Sequence, residues 1–340
     1  MSAGSLTAKG AVNSVLVALS GGVDSGVCAL LLQKAGYEVG GVYMVMSKQH
    51  EQGIEKAERA AKQLGIPLFT VNARKEFEET IIAYFIDEYA NGRTPNPCVR
   101  CNPAIKFRYL IACANQNGYE FIATGHYART ENGLIKKAVC EKRDQSYMLY
   151  RLEEDVVNRL LLPLGRVSDK DEVRKSAKDN GLTCHDMPDS SENCFLPSAD
   201  YAAFLREKLG ILPGDLISPD GDVCGRHEGI YNFTIGQRKG IGAFGKPVYV
   251  KRIDPETRRV FLTRGGEEFF DAAALSDCIW HRVPEAEKIY GVKIRSVARA
   301  AAAKIEGDRV MFEQPARAVA PGQSAVVYDG ELVIGGGIIL

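Results

Sequence analysis

No stretch of this 340-residue chain approaches the ~20 consecutive apolar residues of a membrane span, so no membrane partner is expected. The first twelve residues, MSAGSLTAKGAV, are small and polar and hold no signal-peptide core; they read as a loose tail. Charge of either sign is not in surplus, since 43 Lys and Arg meet 43 Asp and Glu. Net charge therefore advertises no nucleic-acid partner. Missing targeting signals point to the cytoplasm, and the nine cysteines there, an odd number, argue against a disulfide framework. No second C-x-x-C accompanies the one at residues 98–101, so a structural zinc site lacks half its ligands. There is no internal repeat. What remains, 45% hydrophobic and 25% charged, is ordinary globular material, long enough for two or three domains.

The most informative stretch is also marked by an absence. A continuous apolar run, Val15 to Leu19, reads as a buried parallel strand. It stops at Ser20-Gly21-Gly22-Val23-Asp24-Ser25, and helical spacing resumes at Val27, Leu30 and Leu31. Two glycines permit close approaches that a Cβ resists. The helix N-terminus behind them offers unpaired N–H groups and a positive dipole end, an anion site. Ser20 and Ser25 add hydroxyls. G-x-G-x-x-G is absent, and so is the Gly-Lys-Ser/Thr of a Walker A loop. Without that lysine, and with Asp24 near the anion, the loop points to a magnesium-bound pyrophosphate that departs. The plain alternative is a tight strand-to-helix turn capped by Asp24.

Strand and helix signals alternate through the first half. Val39–Val45 and Leu68–Val71 read as strands, residues 51–64 as an amphipathic helix, and Glu76–Tyr89 as a helix with Phe77, Ile81, Phe85 and Tyr89 at four-residue spacing. A helix over 103–117 and a strand over Phe121–Thr124 follow. Such alternation predicts an α/β fold with a doubly wound parallel sheet. Ligands then sit at the carboxyl ends of the strands, where SGGVDS, Met44 and Gly125-His126 fall. From about residue 205 the pattern changes to short strands with Pro-Gly and Asp-Gly turns, and from about 266 to hairpins, with Asp329-Gly330 as a turn signal. Regular short strands predict a small β-barrel. The expected organisation is a tail over 1–12, a parallel-sheet domain over 13–204, a small central domain over 205–265 and a C-terminal β-barrel over 266–340. Residues 281–304 carry Arg282, Lys288, Lys293, Arg295, Arg299 and Lys304 against Glu285 and Glu287, which is either a phosphate-binding strip or an ordinary solvated face.

Three cysteines stand outside apolar patterns. In NGRTPNPCVRCNPAIKF, residues 91–107, prolines and asparagines keep the chain extended before Cys98 and Cys101, and a helix is expected from near Pro103. A thiol at a helix N-terminus and beside Arg93 or Arg100 is expected to ionise easily. Cys194, in MPDSSENCFLPSADYAAFL, again sits in a polar loop before a helix. Loop cysteines so far apart in sequence suggest a thiol pair that meets in space. Cys28 and Cys113 fall in helical apolar patterns and read as core.

SGGVDS between a strand and a helix resembles the PP-loop of the ATP pyrophosphatases, which activate a substrate oxygen as an adenylate and release pyrophosphate. A closer resemblance comes from GRTPNPCVRCN (92–102), IKF (105–107), ATGHYAR (123–129), RDQSYML (143–149), ENCF (192–195), HEGI (227–230), YNFTIGQRKG (231–240), VKIR (292–295) and APGQSAVVYDG (320–330). In that order they resemble the tRNA-specific 2-thiouridylase family over nearly the whole chain. The resemblance implies ATP-dependent 2-thiolation of the wobble uridine of tRNA through an adenylated uridine, releasing AMP and pyrophosphate. It implies an ATP site at Ala18, Leu19, Ser20, Gly21, Gly22, Val23, Asp24, Ser25, Met44 and Gly125, with Mg2+ at Asp24. It implies Cys101 as nucleophile and Cys194 as persulfide carrier, charged by a cysteine desulfurase or sulfur-relay protein, and a Cys101–Cys194 disulfide after turnover. It places tRNA contacts at Asn96, Pro97, Cys98, His126, Arg143, Asp144, Gln145, Arg295, Ser296 and Gln323. Many members carry aspartate, an acid/base candidate, where this chain has Cys98. Cys98, Cys101 and Cys194 thus form a three-thiol set, which leaves a [4Fe-4S] cluster as the alternative to a persulfide relay. Two further readings stay open: another adenylating PP-loop synthetase, and a non-enzymatic zinc-bearing RNA-binding module.

Overall fold

The computed structural model describes residues 13–188, 194–196, 200–242 and 244–340. The expected tail over 1–12, and Glu192 and Asn193 of the ENCF stretch, lie outside the described residues. Seven strands belong to the first part of the chain: β1 (Ser14–Ala18), β2 (Glu38–Val45), β3 (Leu68–Asn72), β4 (Phe121–Ala123), β5 (Ala128–Glu131), β6 (Leu134–Lys137) and β7 (Leu160–Leu161). Five of them form the expected parallel sheet, in the order β3-β2-β1-β4-β7. Its run of apolar residues has a simple cause. Val15 and Val17 face one packed layer, with Val39, Val27 and Leu32, while Leu16 faces the other, with Val42, Ile122 and Phe77. A strand covered on both faces has no polar side.

The helices depart from expectation at instructive places. The predicted helix over 51–64 is two pieces, Lys48–Glu51 and Ile54–Leu64. The helix near Glu76 runs from Arg74 to Ala90 but loosens into a π turn at Glu78–Ile82. Its predicted stripe is correct: Phe77, Ile81, Phe85 and Tyr89 are all buried. The helix expected from Pro103 starts at Pro97, and Asn96 caps it by accepting the Cys98 N–H at 3.2 Å. A second π turn, Asn102–Phe107, takes up Pro103 before the helix continues as Arg108–Gln116. Proline inside a helix forfeits a hydrogen bond, and a wider turn accommodates the loss. Cys98 and Cys101 therefore lie within the first helical turns rather than in a loop before them.

Beyond residue 205, β8 (Gly214–Ile217), β9 (Val223–His227), β10 (Val248–Asp254) and β11 (Arg259–Arg264) form a small sheet in the order β10-β11-β8-β9. The last six strands are β12 (Phe269–Trp280), β13 (Tyr290–Lys293), β14 (Ala301–Glu306), β15 (Arg309–Arg317), β16 (Ser324–Asp329) and β17 (Leu332–Ile339). They run in the order β12-β15-β14-β13-β16-β17, and β12 pairs again with β17, so the antiparallel barrel closes. The hairpin β5–β6, from the first part of the chain, joins this barrel: Lys136 pairs with Leu332 at the start of β17. Arg129 and Lys136 reach Glu331 at 3.0 and 3.4 Å. No helix among the described residues is long and apolar enough to cross a membrane.

Candidate active site

Two clusters of polar groups meet at the carboxyl edge of the parallel sheet. The first is the Ser20–Ser25 loop. Gly21 has φ +80°, and a Cβ there would lie 2.6 Å from the Lys56 carbonyl carbon, so only glycine fits. The Ser25 hydroxyl accepts the Ser20 N–H at 3.1 Å and donates to the Gly22 carbonyl at 3.0 Å, which folds the loop over the helix start. Gly22 is the N-cap of the helix Val23–Lys34 and supplies no side chain to its free N–H groups. They are left for a ligand. Gly125, after β4, packs on the loop so closely that a Cβ would meet the Asp24 carbonyl carbon at 2.9 Å. Ala18 ends β1, and Met44 is buried near the end of β2.

A lysine from a distant part of the chain meets the loop. Lys170, first residue of the helix Lys170–Asp179, places Nζ 2.5 and 2.6 Å from the two Asp24 carboxylate oxygens. The Tyr127 hydroxyl donates to Asp24 Oδ1 at 2.7 Å. The Lys170 side chain is only 8% exposed. Mg2+ at Asp24 is therefore a poor fit to this arrangement, because both carboxylate oxygens already hold an ammonium. A magnesium ion normally keeps one or two carboxylates to itself beside substrate phosphates.

The second cluster is the thiol set. Cys101 is 3% exposed, while Cys98 and Cys194 are half-buried. Cys101 lies in the main hydrophobic cluster, and Cys194 packs against that same cluster. The next residue, Phe195, wedges between Phe77, Phe85 and Phe204 and so anchors Cys194. The expected easy ionisation is corrected here. Burial pushes the Cys101 thiol up to about 12, against the pull of Lys106, and burial likewise raises Cys194. The nearby charges of Cys98 and Cys194 raise Cys101 further, which puts the three sulfurs in one neighbourhood. Arginine is not their counter-charge: Arg93 pairs with Glu88, and Arg100 pairs with Asp277 and lies over Tyr84. The cation that acts on all three thiols is Lys106.

Among the described residues no group of three His, Cys, Asp or Glu side chains is arranged to hold a metal ion, so the three sulfurs as placed do not form a cluster site.

His126 lies between Gly125, which touches the loop, and Lys106, which acts on the thiols. Its Nδ1 shares a 2.8 Å hydrogen bond with the Thr124 hydroxyl, and its ring stacks on Phe107 at 6.2 Å. Burial and the Lys106 charge lower it to about 3, so it is a neutral imidazole. Its chain neighbour Gly125 touches the Asp24 loop.

Several residues expected to touch tRNA have internal partners. Asp144 accepts from the Ala138 and Ser146 N–H groups at 3.0 and 3.2 Å, from the Ser146 hydroxyl at 2.9 Å and from Lys293 at 3.3 Å. The Gln145 side chain accepts the Tyr127 N–H at 2.9 Å. Arg295 donates to the Ile235 and Ala318 carbonyls at 2.9 and 3.3 Å, and Gln323 donates to the Thr94 carbonyl at 2.8 Å. Asn96 caps the cysteine helix, whose first residue is the buried Pro97. Arg143 is exposed and Ser296 half-buried. In the basic strip, Lys288 pairs with Asp329, Lys293 with Asp144 and Lys304 with Glu287, so it is no continuous free strip. These partners bind the barrel and the small sheet to the cysteine segment. Lys106, Lys170, Tyr127 and His50 were given no role in the sequence. Lys106 lies within the quoted IKF and Tyr127 within ATGHYAR, whereas nothing local marks Lys170.

Comparison with known proteins finds matches along nearly the whole chain. Residues 13–198 match the family described as tRNA methyl transferase HUP domain, 202–264 its PRC-barrel domain, and 271–339 an aminomethyltransferase beta-barrel domain. A protein of Clostridioides difficile named tRNA-specific 2-thiouridylase MnmA is 40% identical, over 96% of this chain and 97% of its own. A protein of the same name from Halothermothrix orenii is 42% identical, over 96% and 99%. One from Carboxydothermus hydrogenoformans is also 42% identical, over 96% and 97%.

Proposed function

The chain belongs to the tRNA-specific 2-thiouridylase family, and from that premise we propose that its two clusters act in turn on one wobble uridine. It is an ATP-dependent tRNA-uridine sulfurtransferase. The uridine C2 carbonyl is a poor electrophile, and oxide is a poor leaving group. Adenylation at the Ser20–Ser25 loop makes that oxygen leave as AMP. In this reading the free N–H groups behind Gly22 and the Lys170 ammonium stabilise the departing pyrophosphate. Any Mg2+ arrives with the ATP phosphates and adds charge stabilisation there. Ala18, Leu19, Val23, Met44 and Gly125 line the nucleotide.

Sulfur then comes from Cys194, loaded as a persulfide by a cysteine desulfurase or relay protein. The Cys101 thiolate bonds to the Cys194 sulfur, and the bond to the terminal sulfur breaks. That sulfur leaves with the electron pair and bonds to C2 as AMP departs. Cys101 and Cys194 remain as a disulfide, which an external dithiol reduces. The target base must leave the anticodon stack to reach this site. Asn96, Pro97, Cys98 and His126 lie nearest it, while Arg143, Asp144, Gln145, Arg295, Ser296 and Gln323 shape the surface that meets the tRNA.

The observation that carries this reading is the Gly125-His126 step. One residue packs on the nucleotide loop, and the next feels the charge of Lys106, the cation that acts on the thiol set. Consecutive Cα atoms are about 3.8 Å apart, so adenylation and sulfur delivery share one small volume. Methyl transfer, the activity in the family's description, needs neither an adenylating loop nor paired thiols. The test is nucleoside mass spectrometry of tRNA after incubation with the protein, ATP, Mg2+ and a sulfur donor. Sulfur-for-oxygen exchange with matching AMP and pyrophosphate is expected. A methylated nucleoside, or no nucleoside change and no pyrophosphate, overturns the reading.

A further inference from the structure

Lys106 is the charged group that the reaction above leaves without a task. It sits in the π turn Asn102–Phe107, five residues after Cys101. In an i→i+5 turn, residues five apart lie near one another, whereas a regular helix of 3.6 residues per turn carries the fifth residue past. The π turn thus serves to bring this lysine back toward the cysteine. Among the described residues no carboxylate pairs with Lys106 and no hydrogen bond holds its ammonium. Lys170, which is buried, has Asp24.

The groups that face Lys106 come from four segments. Cys98 and Cys101 share its helix, Cys194 comes from the segment before the helix Tyr201–Leu209, His126 follows β4, and His50 follows β2. Both histidines are neutral, His50 lowered to about 4 by burial first and by Lys106 second. The Tyr43 hydroxyl lies near Cys194 and donates to the His50 carbonyl at 2.5 Å. Of the groups that face this ammonium, only the three sulfurs can become anions, and burial keeps Cys101 and Cys194 as thiols until one gives up its proton. Burial opposes the charge on Lys106, and the three sulfurs more than restore it. A half-buried ammonium beside these sulfurs lowers the cost of the sulfur anion at the moment it forms.

Resting on the sulfur-transfer reading above, we infer that the Lys106 ammonium is the counter-charge of that transfer, pairing first with the Cys101 thiolate and then with the sulfide it displaces. When Cys101 closes on the Cys194 sulfur, one negative charge moves from the Cys101 sulfur to the departing terminal sulfur. The charge stays beside the same cation throughout. Lys106 acts through the sulfurs and is a positioning residue, not a nucleophile.

The full-length protein tests this with Lys106→Met and Lys106→Arg. Cys101 and Cys194 are alkylated with a haloacetamide at fixed pH values from 7 to 10, and the rates are read by peptide mass spectrometry. Persulfide on Cys194 is counted after incubation with a cysteine desulfurase and cysteine. In Lys106→Met the alkylation of Cys101 should be about tenfold slower or more at each pH, as about one pH unit of lost thiolate stabilisation requires. Persulfide occupancy should fall with it, and Lys106→Arg should restore most of both. A Lys106→Met protein that keeps the wild-type alkylation rate and occupancy overturns the inference. If methionine prevents folding, as a lost melting transition reveals, Lys106→Gln is judged by the same two outcomes. A wild-type protein that takes no persulfide on Cys194 defeats the sulfur-transfer reading instead, and the alkylation rates still decide the role of Lys106.

Discussion

The Ser20–Ser25 loop and the thiol set are neighbours across Gly125-His126, yet they are made of opposite materials. The loop is backbone chemistry. Its donors are main-chain N–H groups, its shape depends on one left-handed glycine, and Ser20 is open to solvent. The thiol set is side-chain chemistry in a hydrophobic cluster, assembled from segments far apart in sequence. A backbone anion site works while wet and tolerates variation around it. A buried sulfur site needs its charges balanced one by one, and every neighbour matters. On the proposed reading the loop takes ATP, and the thiol set shelters a sulfur intermediate that water or oxidants would consume.

The sharpest way to break this contrast is to remove one sulfur. Cys101→Ser and Cys194→Ser should each lower thiolation about a thousandfold or more while ATP still binds, as expected for a lost nucleophile or carrier. Thiolated nucleoside counts with an ATP-binding isotherm check this, and wild-type rates in either variant would dissolve the pair. On the loop side, Asp24→Asn should keep the fold and cut pyrophosphate release about a hundredfold, because the carboxylate no longer holds the Lys170 ammonium in position beside the loop. Unchanged release in a folded variant would make the loop mere scaffolding.

The pH dependence of stability gives a smaller effect and belongs to the thiol side. His50 and His126 are lowered in the fold to about 4 and about 3. The unfolded chain, with ordinary histidines near 6.5, then binds more protons as pH falls. Stability should drop between about pH 6.5 and pH 4, at most about 1.4 kcal/mol per pH unit for each histidine. Denaturation midpoints at pH 7 and 5 measure it, and His126→Gln should flatten the slope. The smallest effect is the control. Cys28→Ser and Cys113→Ser, buried but outside the set, should leave thiolation within a few-fold and cost only a few kcal/mol at most of melting stability.

The same contrast governs what could be read from the letters alone. The strand, loop and helix around Ser20 lie within a few turns of one another, so local rules located them. The cysteine helix was harder, because Asn96-Pro97 and Asn102-Pro103 offer the same start signal. The chain uses the first and absorbs the second in a π turn, which no local propensity announces. That choice buries Cys101, and burial reversed the expected ease of ionisation. Lys170 was invisible because its partner, Asp24, is distant in sequence. Asp144, Arg295 and Gln323 were expected at the tRNA surface from the resemblance, and only the folded chain shows their internal bonds.

The shared strand β17 sets a limit on dissection. Near its start it pairs with β6, and toward its end with β12. The barrel thus completes its hydrogen bonding with a hairpin borrowed from the catalytic part of the chain. Cut near residue 266, the two halves would each keep an unsatisfied strand edge, the kind of edge that seeks any other strand. Anyone wishing to transplant the barrel onto another enzyme would have to carry Ala128–Lys137 with it.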